Sequence, residues 1–196
     1  MKYNVAGGQR AKILLVDDRP ENLLALEAIL SSLGQELVSL RSGEAAVDAA
    51  ITDEFAVILL DVVMPGMDGF ETAAQIKQRG RAPGVPIIFL TAAGEPELAF
   101  RGSAAGATDY ISKPFDPWVL RAKVSVFVEL FLAGQRLDAV ARLSPLLSAV
   151  EEAAAGLAAA GLPVEGDGLD RLNGAIAGLR AALDEVTPPS PGAAPA

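Results

Sequence analysis

The feature that most constrains the fold is an apolar run that ends in a single carboxylate. Residues Ala56–Leu60 are all apolar, Asp61 follows them directly, and the proline and glycines of residues 65–69 then turn the chain. Because the run is apolar on both faces, it predicts a strand buried between two layers. Asp61 is then expected at the carboxyl end of a central strand, where open α/β sheets place their ligand sites. Taken alone, the pattern also fits an aspartate that simply ends a strand.

The rest of the N-terminal two thirds alternates between short apolar runs and helical patterns. Helical spacing follows Pro20, Ser42 and Gly69, a weakly anchored candidate helix covers Glu95–Ala104, and a long helix begins at Pro117. The predicted strands are Lys12–Val16, Glu36–Leu40, Ala56–Leu60, Val85–Leu90 and Thr108–Ile111. Because parallel crossovers are right-handed and each needs a covering helix, five alternations predict an α/β fold: a (βα)5 domain with a doubly wound five-stranded parallel sheet.

Composition excludes several functional classes. The chain has 196 residues and a formal net charge of −9, which argues against a nucleic-acid surface, and no apolar run is long enough to span a membrane. Cysteine is absent, so a disulfide framework and a thiolate metal site are excluded. Histidine is also absent, which excludes an imidazole base and a phosphohistidine on this chain. We expect a cytoplasmic protein with one domain of ordinary size and a smaller addition.

Four of the predicted strands end in side chains that can bind a charged ligand. These are Asp17 and Asp18, Asp61, Thr91 and Lys113. The carboxyl ends of parallel strands share one edge of a sheet, so three carboxylates would crowd there, and Mg²⁺ would relieve their repulsion. A lysine and a hydroxyl complete a phosphate-sized pocket, in which a carboxylate can act as nucleophile and form an aspartyl phosphate. The alternative is a lysine paired with acids for stability alone.

Four segments together resemble the receiver domain of bacterial two-component response regulators, with its CheY-like, flavodoxin-like fold. They are Ile13–Asp18, Leu60–Gly69, Ile88–Ala92 and Gly106–Phe115. The resemblance implies that Asp61 accepts a phosphoryl group from the phosphohistidine of a histidine kinase or a histidine phosphotransfer protein. It covers about two thirds of the chain and leaves the C-terminal third unassigned.

The resemblance also implies which residues hold the metal and the phosphoryl group. The ligands of Mg²⁺ would be Asp17, Asp18, Asp61 and the backbone carbonyl of Val63. Thr91 would hydrogen-bond one phosphoryl oxygen, and Lys113 would pair with another. The Lys113–Pro114 peptide is expected to be cis, an isomer that proline makes accessible.

A conformational switch is implied by Thr91 and Tyr110. The phosphoryl group would draw Thr91 inward while the ring of Tyr110 turns inward, which would shift the packing of the fourth helix, fifth strand and fifth helix. Tyr110 also fits an ordinary half-buried strand aromatic. Family members can orient a hydrolytic water with a polar group two residues after the acceptor or the threonine. Val63 and Ala93 occupy those positions here, which predicts slow dephosphorylation.

Beyond Leu132 the sequence predicts a helical extension. The long helix continues toward Leu143, and Ser144–Pro145 is typical of a cap followed by a first-turn proline, so we expect a new helix or a kink there. Apolar residues recur at three-four spacing in two seams: Val140, Leu143, Leu147, Val150, Ala154 and Leu157, then Leu169, Leu172, Ile176, Leu179, Leu183 and Val186. The two helices could pair within one chain or form a bundle across a dimer.

These observations divide the chain into four parts and favour one function. The parts are a flexible N-terminus (1–10), a receiver domain (11–132), a helical extension (133–186) and a disordered tail (187–196). We interpret the chain as a response regulator without a separate catalytic output domain. It would signal to a downstream protein partner and form a homodimer through its C-terminal helices or the face formed by the fourth helix, fifth strand and fifth helix. The alternatives are a phosphorelay shuttle and, with less support from charge and motifs, a DNA-binding regulator.

Overall fold

The computed structural model describes residues 10–92, 108–159 and 173–181. Its elements are β1 Lys12–Val16, α1 Pro20–Leu30, a 3₁₀ turn Ser31–Leu33, β2 Glu36–Leu40, α2 Gly43–Thr52, β3 Val57–Asp61, α3 Gly69–Arg79, β4 Ile87–Ala92, β5 Asp109–Lys113 and α4 Pro117–Ala159. Residues 173–181 are also helical. The predicted fourth helix, Glu95–Ala104, lies outside the described residues, so α4 is the helix predicted as the fifth.

The five strands form one parallel sheet in the order β2-β1-β3-β4-β5. β3 is central, and its Leu59 pairs with Leu15 of β1 on one side and with Ile88 of β4 on the other. The first connection places β2 on one side of β1, and the next connection places β3 on the other side. Open α/β sheets bind ligands at such switch points, where the direction of strand addition reverses. The predicted doubly wound parallel fold is confirmed.

Helices cover both faces of the sheet, which explains why β3 is apolar along its length. Ile58 and Leu60 belong to an apolar cluster with the buried residues of α2 and α3. Val57 and Leu59 belong to a second cluster, with the buried residues of α1 and α4. All four side chains are fully buried, and each such burial contributes about 1.5–3 kcal/mol. β3 is therefore a firm support for the carboxylate that ends it.

Two strands continue past the apolar runs that predicted them. β4 begins at Ile87 and ends at Ala92, two residues later than predicted at each end, and β5 ends two residues later, at Lys113. The ladder pairs Thr91 with Ser112 and Ala92 with Lys113. Backbone hydrogen bonding does not require apolar side chains, so the polar residues stay in register. Thr91 and Lys113 are therefore held in regular strands and not in loops.

The chain divides into two compact units, with the boundary inside α4 between Leu132 and Ala133. In the second unit α4 continues through Pro145, so no new helix starts at Ser144–Pro145, and the alternative of a kink there stays a prediction. A proline removes one backbone donor at a cost of about 3 kcal/mol, but the turns on either side keep theirs. Among the described residues, no helix has both the length and the apolar character needed to cross a membrane.

Candidate functional site

Asp61 is the last residue of β3, and its carboxylate is nearly enclosed. The residue is 7 % exposed, and burial raises the pKa of its carboxyl group. The ammonium group of Lys113 and the backbone N–H of Val63 act against this effect and lower the pKa, because both stabilise the charged form. The Val63 side chain, in contrast, is 71 % exposed. Asp61 therefore combines a buried carboxylate with two donors that favour its ionised form.

The turn after Asp61 brings the start of α3 against the end of β3. The backbone N–H of Gly69 donates to the carbonyl oxygen of Val62 at 3.0 Å. A Cβ atom at Gly69 would lie 2.3 Å from the backbone carbonyl oxygen of Asp61, so a side chain does not fit there. Asp68 caps the helix, since its Oδ1 accepts a hydrogen bond from the Glu71 backbone N–H at 2.8 Å. The sequence predicted Gly69 as part of a turn and as the start of the third helix.

Asp17 is fully buried, and hydrogen-bond donors surround its carboxylate. Its Oδ1 accepts from the Arg19 backbone N–H at 3.0 Å, and the Asn22 amide lies 2.9 Å from both oxygens. Its Oδ2 also accepts from Lys113 Nζ at 2.8 Å. A buried carboxylate needs such partners, because an unpaired buried charge is strongly unfavourable. The start of α1 thus fixes the orientation of Asp17.

Three carboxylates meet at this edge of the sheet. One oxygen from each of Asp17, Asp18 and Asp61 lies within 4.8 Å of the other two. Asp18 is half-buried, and its backbone carbonyl accepts hydrogen bonds from the Arg41 guanidinium at 3.2 and 3.4 Å. Carboxylates this close repel one another, and a hard cation that prefers oxygen ligands offsets the repulsion. The three side chains therefore fit Mg²⁺.

Lys113 connects two of these acids. Its Nζ lies 3.0 Å from Asp61 Oδ1 and 2.8 Å from Asp17 Oδ2, and its side chain is 27 % exposed. The Lys113–Pro114 peptide is cis, as predicted. Thr91 is half-buried and directly follows Leu90, the register partner of Asp61, so it lies at the same edge of the sheet. The predicted acids, lysine and threonine are thus brought to one place.

Tyr110 lies farther from this edge. It precedes Lys113 by three residues, which is about 10 Å along a strand. Its ring packs against Phe89, with ring centroids 5.9 Å apart and planes inclined by 32°. Burial raises the pKa of its hydroxyl group. This packing also suits an ordinary half-buried strand aromatic, so a switch role for Tyr110 stays a prediction.

Two residues that hold the acids in place were not singled out by the sequence interpretation. Asn22 lies in the first turn of α1, and Arg41 directly follows β2. The available signal was weak in both cases. An asparagine near a helix start commonly serves as a cap, and an arginine in a loop commonly faces solvent. Only the three-dimensional structure brings Asn22 to the Asp17 carboxylate and Arg41 to the Asp18 backbone carbonyl.

A family model for the response regulator receiver domain matches residues 13–125. Response regulator PleD of Caulobacter vibrioides is 37% identical over 114 residues, which are 58% of this chain and 25% of that protein. Protein PilH of Pseudomonas aeruginosa is 33% identical over 106 residues, which are 54% of this chain and 88% of that protein. The chain thus matches a quarter of PleD but most of PilH.

A solved structure of a related domain contains a metal. It is the receiver domain of a sensor histidine kinase from Pseudomonas aeruginosa, with a magnesium ion coordinated in its active-site cleft. It is 32% identical to this chain, with a TM-score of 0.57, and the match covers 62% of this chain and 99% of that one. The residues that the family model matches, 13–125, include the three acids that cluster.

Proposed function

The chain belongs to the response regulator receiver domain family of two-component signalling, and from that premise we propose that Asp61 accepts a phosphoryl group. The donor would be the phosphohistidine of a histidine kinase or a histidine phosphotransfer protein. One observation carries the proposal: Lys113 Nζ lies 3.0 Å from Asp61 Oδ1 at the end of the central strand, beside a second buried acid. A carboxylate and a cation fixed together suit phosphoryl transfer, which depends on positioning and charge.

In the proposed transfer, a carboxylate oxygen of Asp61 attacks phosphorus and the phosphorus–nitrogen bond of the donor breaks. The bonding electron pair stays with the donor imidazole, which leaves neutral when its other nitrogen carries a proton. Lys113 would pair with one oxygen of the transferred group, and the Thr91 hydroxyl would donate to another. Mg²⁺ would offset the charge of the phosphoryl group, held by Asp17, Asp18, Asp61 and the backbone carbonyl of Val63.

The environment of Asp61 bears on its strength as a nucleophile. Burial raises the pKa of the carboxyl group, while Lys113 and the Val63 backbone N–H lower it. The ionised form is the nucleophile, so these two donors keep the residue competent despite its burial. Besides holding Mg²⁺ in this proposal, Asp17 would act through Lys113, because its carboxylate contacts the Lys113 ammonium at 2.8 Å and helps to orient it.

The output in this proposal is a change in protein–protein contacts. Thr91 and Lys113 lie near the ends of the adjacent strands β4 and β5, which also carry Phe89 and Tyr110, whose rings pack together. A displacement of Thr91 therefore reaches the Tyr110 ring through neighbouring strands. The affected contacts would be with a downstream protein or a second copy of the chain. These contacts would involve the C-terminal helices, or the face formed by the predicted helix Glu95–Ala104, β5 and α4.

Transfer of a labelled phosphoryl group tests the proposal. The full chain is incubated with Mg²⁺ and either acetyl phosphate or a phosphorylated histidine phosphotransfer protein. We expect labelling of the wild type and of Asp53→Asn, a matched loss of an acid outside the cluster, but not of Asp61→Asn. Labelling of Asp61→Asn at the wild-type rate would contradict the assignment. Return of the label to a second histidine protein would identify the shuttle.

A further inference from the structure

In the second unit, the end of α4 contacts the helical residues 173–181 through few buried side chains. Leu147 and Ile176 are 9% and 8% exposed, and they form the apolar core of this pair within the described residues. Glu151 Oε1 and Arg180 Nη1 add an ion pair at 2.9 Å between the same two helices. In the part of the chain that the structure describes, these two helices bury much less apolar surface against each other than a stable bundle requires.

The same two helices form an apolar groove that lies open beside this small core. The groove has a cavity of about 190 Å³, and its lining includes Leu143, Leu146, Val150 and Leu179. These four side chains are 43–62% exposed. Single exposed apolar residues are common on protein surfaces, but exposed leucines and valines that together line one groove mark an interaction surface.

We propose that a second copy of this chain covers the groove, so that two helix pairs form an antiparallel four-helix bundle. The inference deepens the homodimer part of the proposed function and rests on that part alone. Leu143, Leu146, Val150 and Ala153 follow a three-four-three spacing, which places them on one face of α4, and all four are exposed. This face is the stripe that the second copy contacts.

The stripe is complementary to itself. In an antiparallel two-fold arrangement centred on Ser148, Leu143 of one copy faces Ala153 of the partner subunit, and Leu146 faces Val150 of the partner subunit. A large side chain thus meets a small one at the ends, and the middle pairs are of similar size, as close helix packing requires. The same contacts occur twice, which is the condition for a two-fold interface.

Charge and area also favour a second copy. The whole chain carries −9, so copies repel one another in general. The stripe itself has no charged residue, so this face of α4 brings no like charges into direct contact when two copies meet. The part of α4 in this unit is about 40 Å long and about 10 Å wide, and residues 173–181 add about a third as much surface. Two copies would bury on the order of 1,000 Å², which a specific interface needs.

Light scattering on the full chain across a dilution series tests the inference. We expect the mass of two chains for the wild type and for Leu24→Asp, a matched control because Leu24 is 68% exposed in α1. Leu146→Asp should raise the dimer dissociation constant at least tenfold, that is by about 1.4 kcal/mol or more, because it places a charge in the apolar contact. Leu146 is 62% exposed, so this substitution leaves the fold of each chain intact.

An exchange of side-chain size tests the antiparallel register. Leu143→Ala alone leaves a hole and Ala153→Leu alone creates a clash, so each should weaken the dimer about tenfold. The double variant puts the large residue opposite the small one again and should restore the wild-type mass. Failure of the double variant to recover would overturn the register.

Two outcomes, each combining mass with labelling, separate this inference from the proposed function. A wild-type chain with the mass of one copy at 100 µM, or a dimer unaffected by Leu146→Asp, would overturn the inference. Labelling by acetyl phosphate is measured on the same samples. A single-copy chain that is labelled on Asp61 refutes only the bundle, and a two-copy chain that is never labelled refutes only the phosphoryl acceptor.

Discussion

Replacement of Lys113 by alanine tests how the acids of the site tolerate one another. Lys113 Nζ lies 2.8 Å from Asp17 Oδ2 and 3.0 Å from Asp61 Oδ1. Asp17 is fully buried and Asp61 is 7 % exposed, so the substitution leaves two buried carboxylates without their positive partner. Breaking a buried pair in this way costs 3–5 kcal/mol, and because Lys113 is partly exposed we expect a loss of about 3 kcal/mol in the free energy of unfolding.

The matched control is Lys12→Ala. Lys12 Nζ lies 2.6 Å from Asp53 Oδ1, which is closer than either contact of Lys113, but the two side chains are 33% and 43% exposed. An exposed ion pair contributes little to the free energy of unfolding even when its nitrogen–oxygen distance is short, because water screens both charges. We therefore expect a much smaller loss for Lys12→Ala. Urea unfolding at pH 7 without divalent cations measures both changes, and equal losses would contradict the reasoning from burial.

The pH dependence of Lys113→Ala gives a second test. Lys113 lowers the pKa of Asp61, so its removal raises that pKa further above the unfolded value. A folded-state pKa above the unfolded one means that the folded protein binds more protons, and stability falls as pH rises through that range. The loss in Lys113→Ala should thus shrink as pH is lowered, and Mg²⁺ should recover part of it at pH 7. A loss that is independent of both pH and Mg²⁺ would refute the electrostatic explanation.

Three further substitutions follow from the same edge of the sheet. Burial raises the pKa of Asp61, so the ionised carboxylate lowers the free energy of unfolding at any pH above that pKa. Asp61→Asn should therefore have a higher urea midpoint than the wild type at pH 7, and the difference should disappear near pH 4, where the wild-type carboxyl group is protonated. The aspartyl phosphate should outlast seconds with Mg²⁺, and Val63→Gln should shorten its lifetime about tenfold or more by orienting a water. Gly69→Ala should cost about 2–3 kcal/mol, because its Cβ would lie 2.3 Å from the Asp61 carbonyl oxygen.

Each of these has a control in the same chain. Asp53→Asn removes an acid outside the cluster and should not stabilise the protein at pH 7. Val119→Gln changes an exposed valine of α4 and should leave the phosphate lifetime unchanged. Gly84→Ala should be close to neutral, since nothing lies within 4 Å of its added Cβ. Equal effects of a substitution and its control would contradict the corresponding prediction.

The strand ends were predictable because hydrophobic periodicity and parallel topology determine them together. Asp61 follows four fully buried residues of β3, and an apolar run with that ending has few alternatives in an α/β chain. The exact ends of β4 and β5 were harder to predict from the sequence, because the polar residues Thr91 and Lys113 belong to these strands through backbone pairing. A pattern of apolar side chains does not report backbone pairing.

The residues that hold the acids could not be predicted from periodicity. Asn22 is five residues from Asp17, and Arg41 is 23 residues from Asp18. Neither separation belongs to the periodic hydrophobic pattern of a helix or a strand, so periodicity does not detect these pairs. Their roles depend on how α1 lies against the Asp17 carboxylate and how the end of β2 lies against the Asp18 backbone carbonyl. Pro145 is the opposite case, since its local signal for a helix start was clear but the surrounding turns of α4 kept the helix continuous.

The contacts of Asp17 explain how one lysine can serve two acids in the proposed transfer. A phosphoryl group on Asp61 competes with Asp17 for the ammonium group of Lys113. Asp17 would keep the Arg19 N–H at 3.0 Å and the Asn22 amide at 2.9 Å from both oxygens. Arg19 directly precedes α1 and Asn22 lies in its first turn, whereas Lys113 belongs to β5, so the lysine can follow the phosphoryl oxygens while the buried carboxylate stays hydrogen-bonded. Without those donors and without Mg²⁺, the same movement would leave an unpaired buried charge, which is strongly unfavourable.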